Sequence, residues 1–387
     1  MRDVAVIGAG PAGLLAARGL AKAGFDVLVL EEHPIIGVPV HCTGLLGLDA
    51  FSELALPRSS ILTTTHAATF VAADGSSVLV DAERVRAAIV DRAAFDQALA
   101  ADSGLAGAEI RSGARVRSIA VDASHVAVRL DASDETIHAR ACVLACGANY
   151  RFNRQLGLGI PRAFAQSAQL ERPFAGPETV EVHLGRRTAP GGFAWVVPFH
   201  RGDRRCNRVG LMCNARVATH FRAFAAQARA RFDSAELPWA EPRLKILPLG
   251  PVSRTYAHRV IAVGDAAGLV KPTTGGGIYY GLLSGQMAAE TLVEALRADD
   301  LRETRLRRYE TQWRARLGAE IRTGLAFRTL AARMSDGAID ALIDLARIDG
   351  LVPLLRQTAD FNWHRQSALA LLRHSQFRRI LLGALWE

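Results

Sequence analysis

The chain has 387 residues, half of them hydrophobic and 22% charged, which is a globular composition long enough for two or three domains with sizeable cores. The net charge is +9 and almost all the positive charge is arginine, since Lys22, Lys245 and Lys271 are the lysines. No apolar run reaches the roughly 18 residues of a membrane span, and the scattered arginines form no recognised nucleic-acid module, so nucleic acid is not an expected partner.

Five cysteines (Cys42, Cys142, Cys146, Cys206, Cys213) lack paired spacing, which argues against a disulfide framework, and no metal site is read. The first strand begins at residue 3 or 4. That leaves no room for a secretory signal, so a cytoplasmic location is expected. The basic charge fits an anionic substrate or membrane surface, or reflects coding bias alone.

In chain order, Val4-Ala5-Val6-Ile7 reads as a strand and Leu14-Leu15-Ala16-Ala17 as a helix. Between them lies Gly8-Ala9-Gly10-Pro11-Ala12-Gly13. A second strand, Asp26-Val27-Leu28-Val29-Leu30, ends in Glu31, 18 residues after Gly13. Strand, glycine turn, helix, strand and acid in this order form the dinucleotide-binding fingerprint. Gly8 permits the tight turn, Gly10 lets the backbone approach a pyrophosphate, and Gly13 lets helix and strand pack closely. The helix N-terminus offers N–H groups to the phosphates, Ala12 lies within that turn, and Glu31 is placed to accept from a ribose.

A Gly/Pro-rich loop follows, Ile36-Gly37-Val38-Pro39-Val40-His41-Cys42-Thr43-Gly44-Leu45. Short strands are expected over 61–80 with a turn at Asp74-Gly75. A helix is expected over 84–101, from apolar residues at Val85, Ala88, Ile89, Ala93, Phe95 and Leu99. Further strands are expected near 108–111, 115–122, 125–130, 141–145, 179–183, 194–197 and 208–212, and a helix over 217–232. The strand at 260–263 runs into Gly264-Asp265, then Pro272-Thr273-Thr274-Gly275-Gly276-Gly277 opens a helix to about 296. Residues 301–387 read as wholly helical.

Asp265, at a strand end, can point its carboxylate at a sugar-alcohol hydroxyl, and the glycine triplet exposes N–H groups beside it. The fingerprint, the helix with Asp91-Arg92, Phe95-Asp96 and Leu99, and the late strand with Gly264-Asp265 together resemble FAD-dependent oxidoreductases of the hydroxylase-like type. The resemblance implies that Asp265 holds the ribityl chain, that Arg92 lies near the phosphates or ribityl chain, and that Gly275, Gly276 and Gly277 face the isoalloxazine. The loop at 36–45 and Gly191-Gly192-Phe193-Ala194-Trp195-Val196-Val197-Pro198 narrow it. Together they resemble the geranylgeranyl reductase family, flavoenzymes that saturate prenyl double bonds. That family's cavity segment reads YxWxFP. Trp195 and Pro198 match it, whereas Phe193 and Val197 replace the Tyr and the Phe.

The fold expected is therefore α/β: a Rossmann-like FAD-binding domain (1–60, 81–150, 251–300), an inserted sheet-rich substrate-binding domain (61–80, 151–250) and a helical C-terminal region (301–387). The chemistry implied is hydride transfer from flavin N5 to an alkene. An isolated alkene is a poor hydride acceptor, so an acid is needed above the flavin in a dry cavity. Cys42 and His41 are the candidates; Cys42 either donates the proton, with burial keeping it on the thiol, or packs as a small hydrophobe. Phe193, Trp195 and Val197, at strand spacing, share one face and are expected with Pro198 to bind substrate.

No second glycine fingerprint marks a nicotinamide site, so the electron donor is either transient NAD(P)H or a small redox protein. The rival reading is a flavin monooxygenase or halogenase. A halogenase needs a lysine between the fingerprint and the Asp91-Arg92 helix, and no lysine falls between Lys22 and Lys245. Near the C-terminus, 367–386 mixes leucines with arginines and ends in Trp386. That segment either lies at a bilayer interface or packs on the domain.

Overall fold

The computed structural model describes residues 1–82, 87–131, 135–233, 239–348 and 350–383. At its centre is the parallel sheet that the fingerprint requires. Arg2–Ile7 pairs in parallel with Val27–Leu30 on one side and Thr136–Leu144 on the other. Val260–Ala262 extends the sheet beyond Thr136–Leu144, and Glu109–Arg111 extends it beyond Val27–Leu30. Val4, Val6, Leu28 and Val29 are fully buried. Continuous apolar runs of this kind suit strands covered on both faces. Val116–Val121 and Val126–Leu130 add an antiparallel excursion off Thr136–Leu144.

The fingerprint helix Pro11–Lys22 lies against the long helix Ile278–Arg297. Their closeness depends on small residues. A Cβ on Gly285 would fall 2.2 Å from the Ala12 carbonyl oxygen, and one on Gly19 would fall 2.8 Å from Ala289 Cβ.

A second, seven-stranded sheet runs Arg243–Pro248, Phe164–Arg172, Arg204–Cys213, Phe193–Arg201, Val180–His183, Ala67–Val71, Ser77–Asp81 in spatial order. Ala67–Val71 joins it in parallel to Val180–His183, so two segments far apart in the chain share one sheet. Helix Val217–Phe232 covers one face, burying Phe221 and Phe224 against Val196, Val209 and Leu211. The other face carries Trp195, Val197, Phe199 and Met212, packed in one cluster with Ile89, Leu45 and Leu62.

One expected element differs. The helix expected over 84–101 is a strand, Ala87–Val90, followed by a helix, Arg92–Leu105. Val85 lies outside the described residues. Ala87, Ala88, Ile89 and Val90 are all buried as the middle strand of a small sheet between Leu45–Gly47 and Ile61–Thr65. Asp91 then caps the helix, accepting from the N–H groups of Ala93 and Ala94. A buried four-residue strand abutting an amphipathic helix mimics one longer helix in the apolar pattern.

The C-terminal region consists of the helices Glu303–Ala331, Asp336–Ile348, Leu351–Thr358, Arg365–Arg373 and Ser375–Gly383. Met334, Leu345, Leu351, Phe377 and Leu381 form their common core. None of the described helices is long and apolar enough to cross a membrane.

Candidate functional site

The two sheets and the C-terminal helices enclose one continuous cavity of about 1060 Å³. It runs from the fingerprint turn, past the 37–45 loop and the 271–277 loop, to the apolar C-terminal helices.

The three fingerprint glycines occupy different surroundings. A Cβ on Gly8 (φ +107°) would strike the Ala145 carbonyl oxygen at 2.4 Å, and one on Gly13 would lie 2.3 Å from the Gly8 carbonyl oxygen. A Cβ on Gly10 would meet nothing within 4 Å. Gly8 and Gly13 thus serve close packing, while Gly10 opens directly onto the cavity, as a pyrophosphate would require. Ala12 also lines the cavity, whereas Gly13 is not among the lining residues. Glu31 stands at the end of the second strand, accepting from the Ala9 N–H (2.8 Å) and the His33 N–H (3.0 Å). The His33 ring Nδ1 also lies 2.6 Å from Glu31 Oε1, and these three contacts still leave the carboxylate an acceptor site.

Gly264 and Asp265 end the strand Val260–Ala262 in a short 3-10 turn. The Gly264 N–H donates to Ser284 Oγ (2.9 Å), and its own absent Cβ would lie 3.0 Å from Ala12 Cβ. Asp265 Oδ1 sits 2.7 Å from where Gly277 would carry a Cβ, and Oδ2 pairs with Lys245 Nζ at 3.1 Å. Gly275, Gly276 and Gly277 line the cavity at the start of helix Ile278–Arg297, whose first turn has no side-chain cap. The Gly275 and Gly276 N–H groups are taken by the Lys271 carbonyl oxygen and Thr274 Oγ1, so the positive character of that wall comes from the first turn of the helix behind it.

Arg92 is not a surface residue. Its guanidinium clasps Asp96 at 2.8 and 2.9 Å, with the Cys42 sulfur close by. Burial pulls its pKa down, but Asp96 and Cys42 outweigh this and leave it raised. Cys42 also accepts from the Gly44 N–H (3.4 Å). Lys245 is a second cation nearby, raised above its ordinary pKa chiefly by Asp265. Burial, then Lys245 and Arg243, push the His41 imidazole below its ordinary pKa, and its buried Nδ1 has no hydrogen-bond partner. Both His41 and Cys42 line the cavity.

Opposite them stands the strand Phe193–Arg201. Phe193, Trp195 and Val197 line the cavity, and alternation sends them to one face. Pro198 falls on the other side of the pleat and is not among the lining residues. Gly210 makes room for the Trp195 indole: a Cβ there would lie 2.5 Å from the ring.

Several contributors escape a sequence reading. Arg208 is 1% exposed; it donates to the carbonyl oxygens of Thr43 (2.6 Å) and Val90 (3.0 Å) and pairs with Glu171. Gln169 Oε1 accepts from both Thr43 Oγ1 (2.6 Å) and Trp195 Nε1 (3.3 Å), tying the Cys42 loop to the cavity wall. Arg208 had a visible signal, an arginine at an inward position of an apolar strand. Gln169 had none. Lys245 and Lys271 also line the cavity, although neither lies in the segment where a halogenase lysine is expected.

Cys146 also lines the cavity, whereas Cys142, Cys206 and Cys213 do not; all five cysteines are free thiols, and burial pushes Cys146 up to about 11 and Cys142 higher still. No cluster of three or more potential metal ligands occurs among the described residues.

Residues 1–322 match the FAD binding domain family. Digeranylgeranylglycerophospholipid reductase 2 of Methanothermobacter thermautotrophicus is 31% identical over 96% of this chain and 98% of its own length. The chain belongs to the geranylgeranyl reductase family of FAD-dependent oxidoreductases. A digeranylgeranylglycerophospholipid reductase of Methanocaldococcus jannaschii is 27% identical over 88% of this chain and 90% of its own.

Among solved structures, a geranylgeranyl bacteriochlorophyll reductase-like protein of Thermoplasma acidophilum superposes with a TM-score of 0.82 at 22% identity, covering 99% of both chains. Halogenase PltM, solved with phloroglucinol and FAD, reaches 0.70 at 18% identity, covering 99% of this chain and 85% of its own, and shares the fold alone. FAD is the cofactor of this family member, and the open Gly10 with its neighbouring helix N-terminus fits the group.

Proposed function

We propose that this protein is an FAD-dependent reductase that saturates carbon–carbon double bonds of a geranylgeranyl-type prenyl lipid. The observation that carries the reading is the single cavity in which the glycine wall, the Cys42 loop and an apolar chamber meet. When bound, FAD supplies a hydride from N5 to one alkene carbon. The chain's own residues do the rest. Gly10 and the first turn of Pro11–Lys22 hold the pyrophosphate, Glu31 the ribose, and Asp265 the ribityl chain, with Arg92 beside it. Gly264 and Gly275–Gly277 keep side chains out of the ring's place.

Cys42 gives the proton to the second alkene carbon, and Arg92 and the Gly44 N–H fix its sulfur in the cavity. His41 assists as a second polar group on the same loop. Phe193, Trp195 and Val197 shape a dry slot for the alkene, where water cannot compete. The prenyl tail extends among Leu371, Phe377 and Leu381. Electrons come from NAD(P)H or a small redox protein, and the lipid is collected at a membrane surface.

The test is direct. Purified holoenzyme, reduced chemically and mixed with a geranylgeranyl phospholipid, is expected to yield products heavier by two hydrogens for each bond saturated, read by mass spectrometry. Oxygen consumption with oxygenated product would support a monooxygenase instead, and overturn the reductase reading.

A further inference from the structure

Lys271 is 6% exposed and makes no ion pair among the described residues. Lysine is almost never buried in this way without a paired carboxylate. Its ammonium donates to the Phe361 carbonyl oxygen at 2.7 Å and lies 4.5 Å from the centre of the Phe361 ring. On its other side is the glycine wall: a Cβ on Gly276 would fall 2.9 Å from Lys271 Cε and 3.6 Å from Nζ. The loop is closed by two backbone bonds, Lys271 N–H to the Gly276 carbonyl and Gly275 N–H to the Lys271 carbonyl.

His364 seals the arrangement, with Nδ1 2.6 Å from Thr273 Oγ1 and Nε2 3.1 Å from the Phe361 carbonyl oxygen. Lys271 is therefore a buried cation that lines the cavity against the wall that opens helix Ile278–Arg297. Its charge and the helix dipole point the same way. In a chain that uses arginine at nearly every other basic position, the residue here is the compact cation that can also lose its proton.

We infer that Lys271 sets the reduction potential of the bound flavin, supplying through the glycine wall the positive charge that offsets the negative charge of the reduced ring. The inference rests on the reading that the ring sits against Gly275–Gly277. A two-electron, one-proton reduction leaves one extra negative charge on the ring, and a fixed neighbouring cation favours that state.

The effect is pH-dependent. Burial lowers Lys271 to about 8, against the opposing charges of Asp360, Asp49 and Glu320. The other groups facing it do not titrate near that pH: burial takes His364 down to about 3 and pushes Tyr279 and Tyr280 upward. Asp265, across the glycine wall, is paired with Lys245. Lys271 is cationic below pH 8 and loses its charge above it, and reduction of the ring holds the proton on to higher pH.

The experiment is spectroelectrochemistry of FAD-loaded protein on both sides of pH 8, on the wild type, Lys271→Met, Lys271→Gln and Lys271→Arg. Met removes a buried charge at similar volume, so the fold is expected to be at least as stable, which thermal unfolding checks. In the two neutral variants the ratio of reduced- to oxidised-flavin affinity is expected to fall at least about tenfold below pH 8, a potential about 30 mV more negative. The difference is expected to shrink above pH 8. Lys271→Arg is expected to keep the potential and lose the break.

Wild-type potentials in the neutral variants at every pH would overturn the inference, as would a break that survives in Lys271→Arg. Loss of FAD from both neutral variants with the fold intact would also overturn it, since Lys271 would then hold the cofactor rather than tune it. Failure of the wild type to bind FAD would instead strike at the reading of the site itself.

Discussion

Gly10 differs from Gly8 and Gly13 in what a side chain there would meet, and this makes it a clean probe. Its Cβ meets no protein atom within 4 Å, so Gly10→Leu is expected to leave the fold intact and to abolish FAD binding. Colour and thermal unfolding of the purified variant check both halves. A yellow Gly10→Leu protein would remove the pyrophosphate from this turn. Cys42→Ser tests the proton. It is expected to retain FAD, to be reduced normally by an artificial donor, and to turn over alkene at least about tenfold more slowly, within the usual range for losing a positioned acid. Unchanged turnover would make Cys42 a packing residue.

Both residues are legible in the sequence because their meaning is local: a glycine between a strand and a helix, a cysteine in a Gly/Pro-rich loop. Gln169 is not, and Arg208 shows only as an arginine at an inward position of an apolar strand, without its partners. Arg208 reaches Thr43 across 165 residues of chain and Gln169 reaches it across 126, so only folding reveals that the two fix the Cys42 loop. Pro198 shows the opposite case, since a match to a family segment does not by itself obey the alternation of the strand that carries it, and Pro198 falls on the face away from the cavity lining.

Elements show the same division. The fingerprint strand, its helix and Val217–Phe232 are legible because each is bounded by its own turn residues and has a clear period. The 84–101 segment is not, because an apolar strand runs into a capped helix at Asp91 with no glycine or proline between them. Asp91 marks the boundary, and its carboxylate serves two partners, the first turn of Arg92–Leu105 and Arg201 of the second sheet. Asp91→Ala is expected to lower stability by about 1 kcal/mol for the cap, and somewhat more if the exposed pair with Arg201 contributes. Urea unfolding measures it.

That carboxylate is held below the usual range, with burial opposing and Arg201 and the Ala94 N–H prevailing. A lowered acid stabilises the fold above its unfolded pKa and loses that contribution as pH falls through its folded pKa. The difference between Asp91→Ala and wild type is therefore expected to be full near neutrality and to vanish in strong acid. A difference that persists there would assign the effect to packing rather than charge.

Across the whole molecule, the cavity has a polar end at the fingerprint and an apolar end among the C-terminal helices, and a long prenyl chain must enter without crossing water. The segment 367–386 was open to two readings, interfacial or packed. The described part does bury one face: Ala368, Phe377 and Leu381 turn inward, and Leu371, Phe377 and Leu381 line the cavity. Trp386 lies outside the described residues. The outer face carries Arg365, Arg373, Arg378 and Arg379, all exposed, with Leu382 beside them. One face lines the cavity while the other presents cations.

Each exposed cation near an anionic leaflet contributes about 1 kcal/mol, and salt screens it. Deleting the segment would open the cavity, so charge reversal is the sharper test. Arg378→Glu with Arg379→Glu is expected to weaken binding to anionic vesicles at least about tenfold at low salt. FAD content and turnover of a detergent-dispersed lipid are expected to remain unchanged. Vesicle sedimentation with anionic and neutral lipids reads the first expectation, and absorbance and mass spectrometry read the others. Equal binding to both vesicle types would mean that the lipid is delivered at another face, and the C-terminal helices would then only line the chamber it occupies.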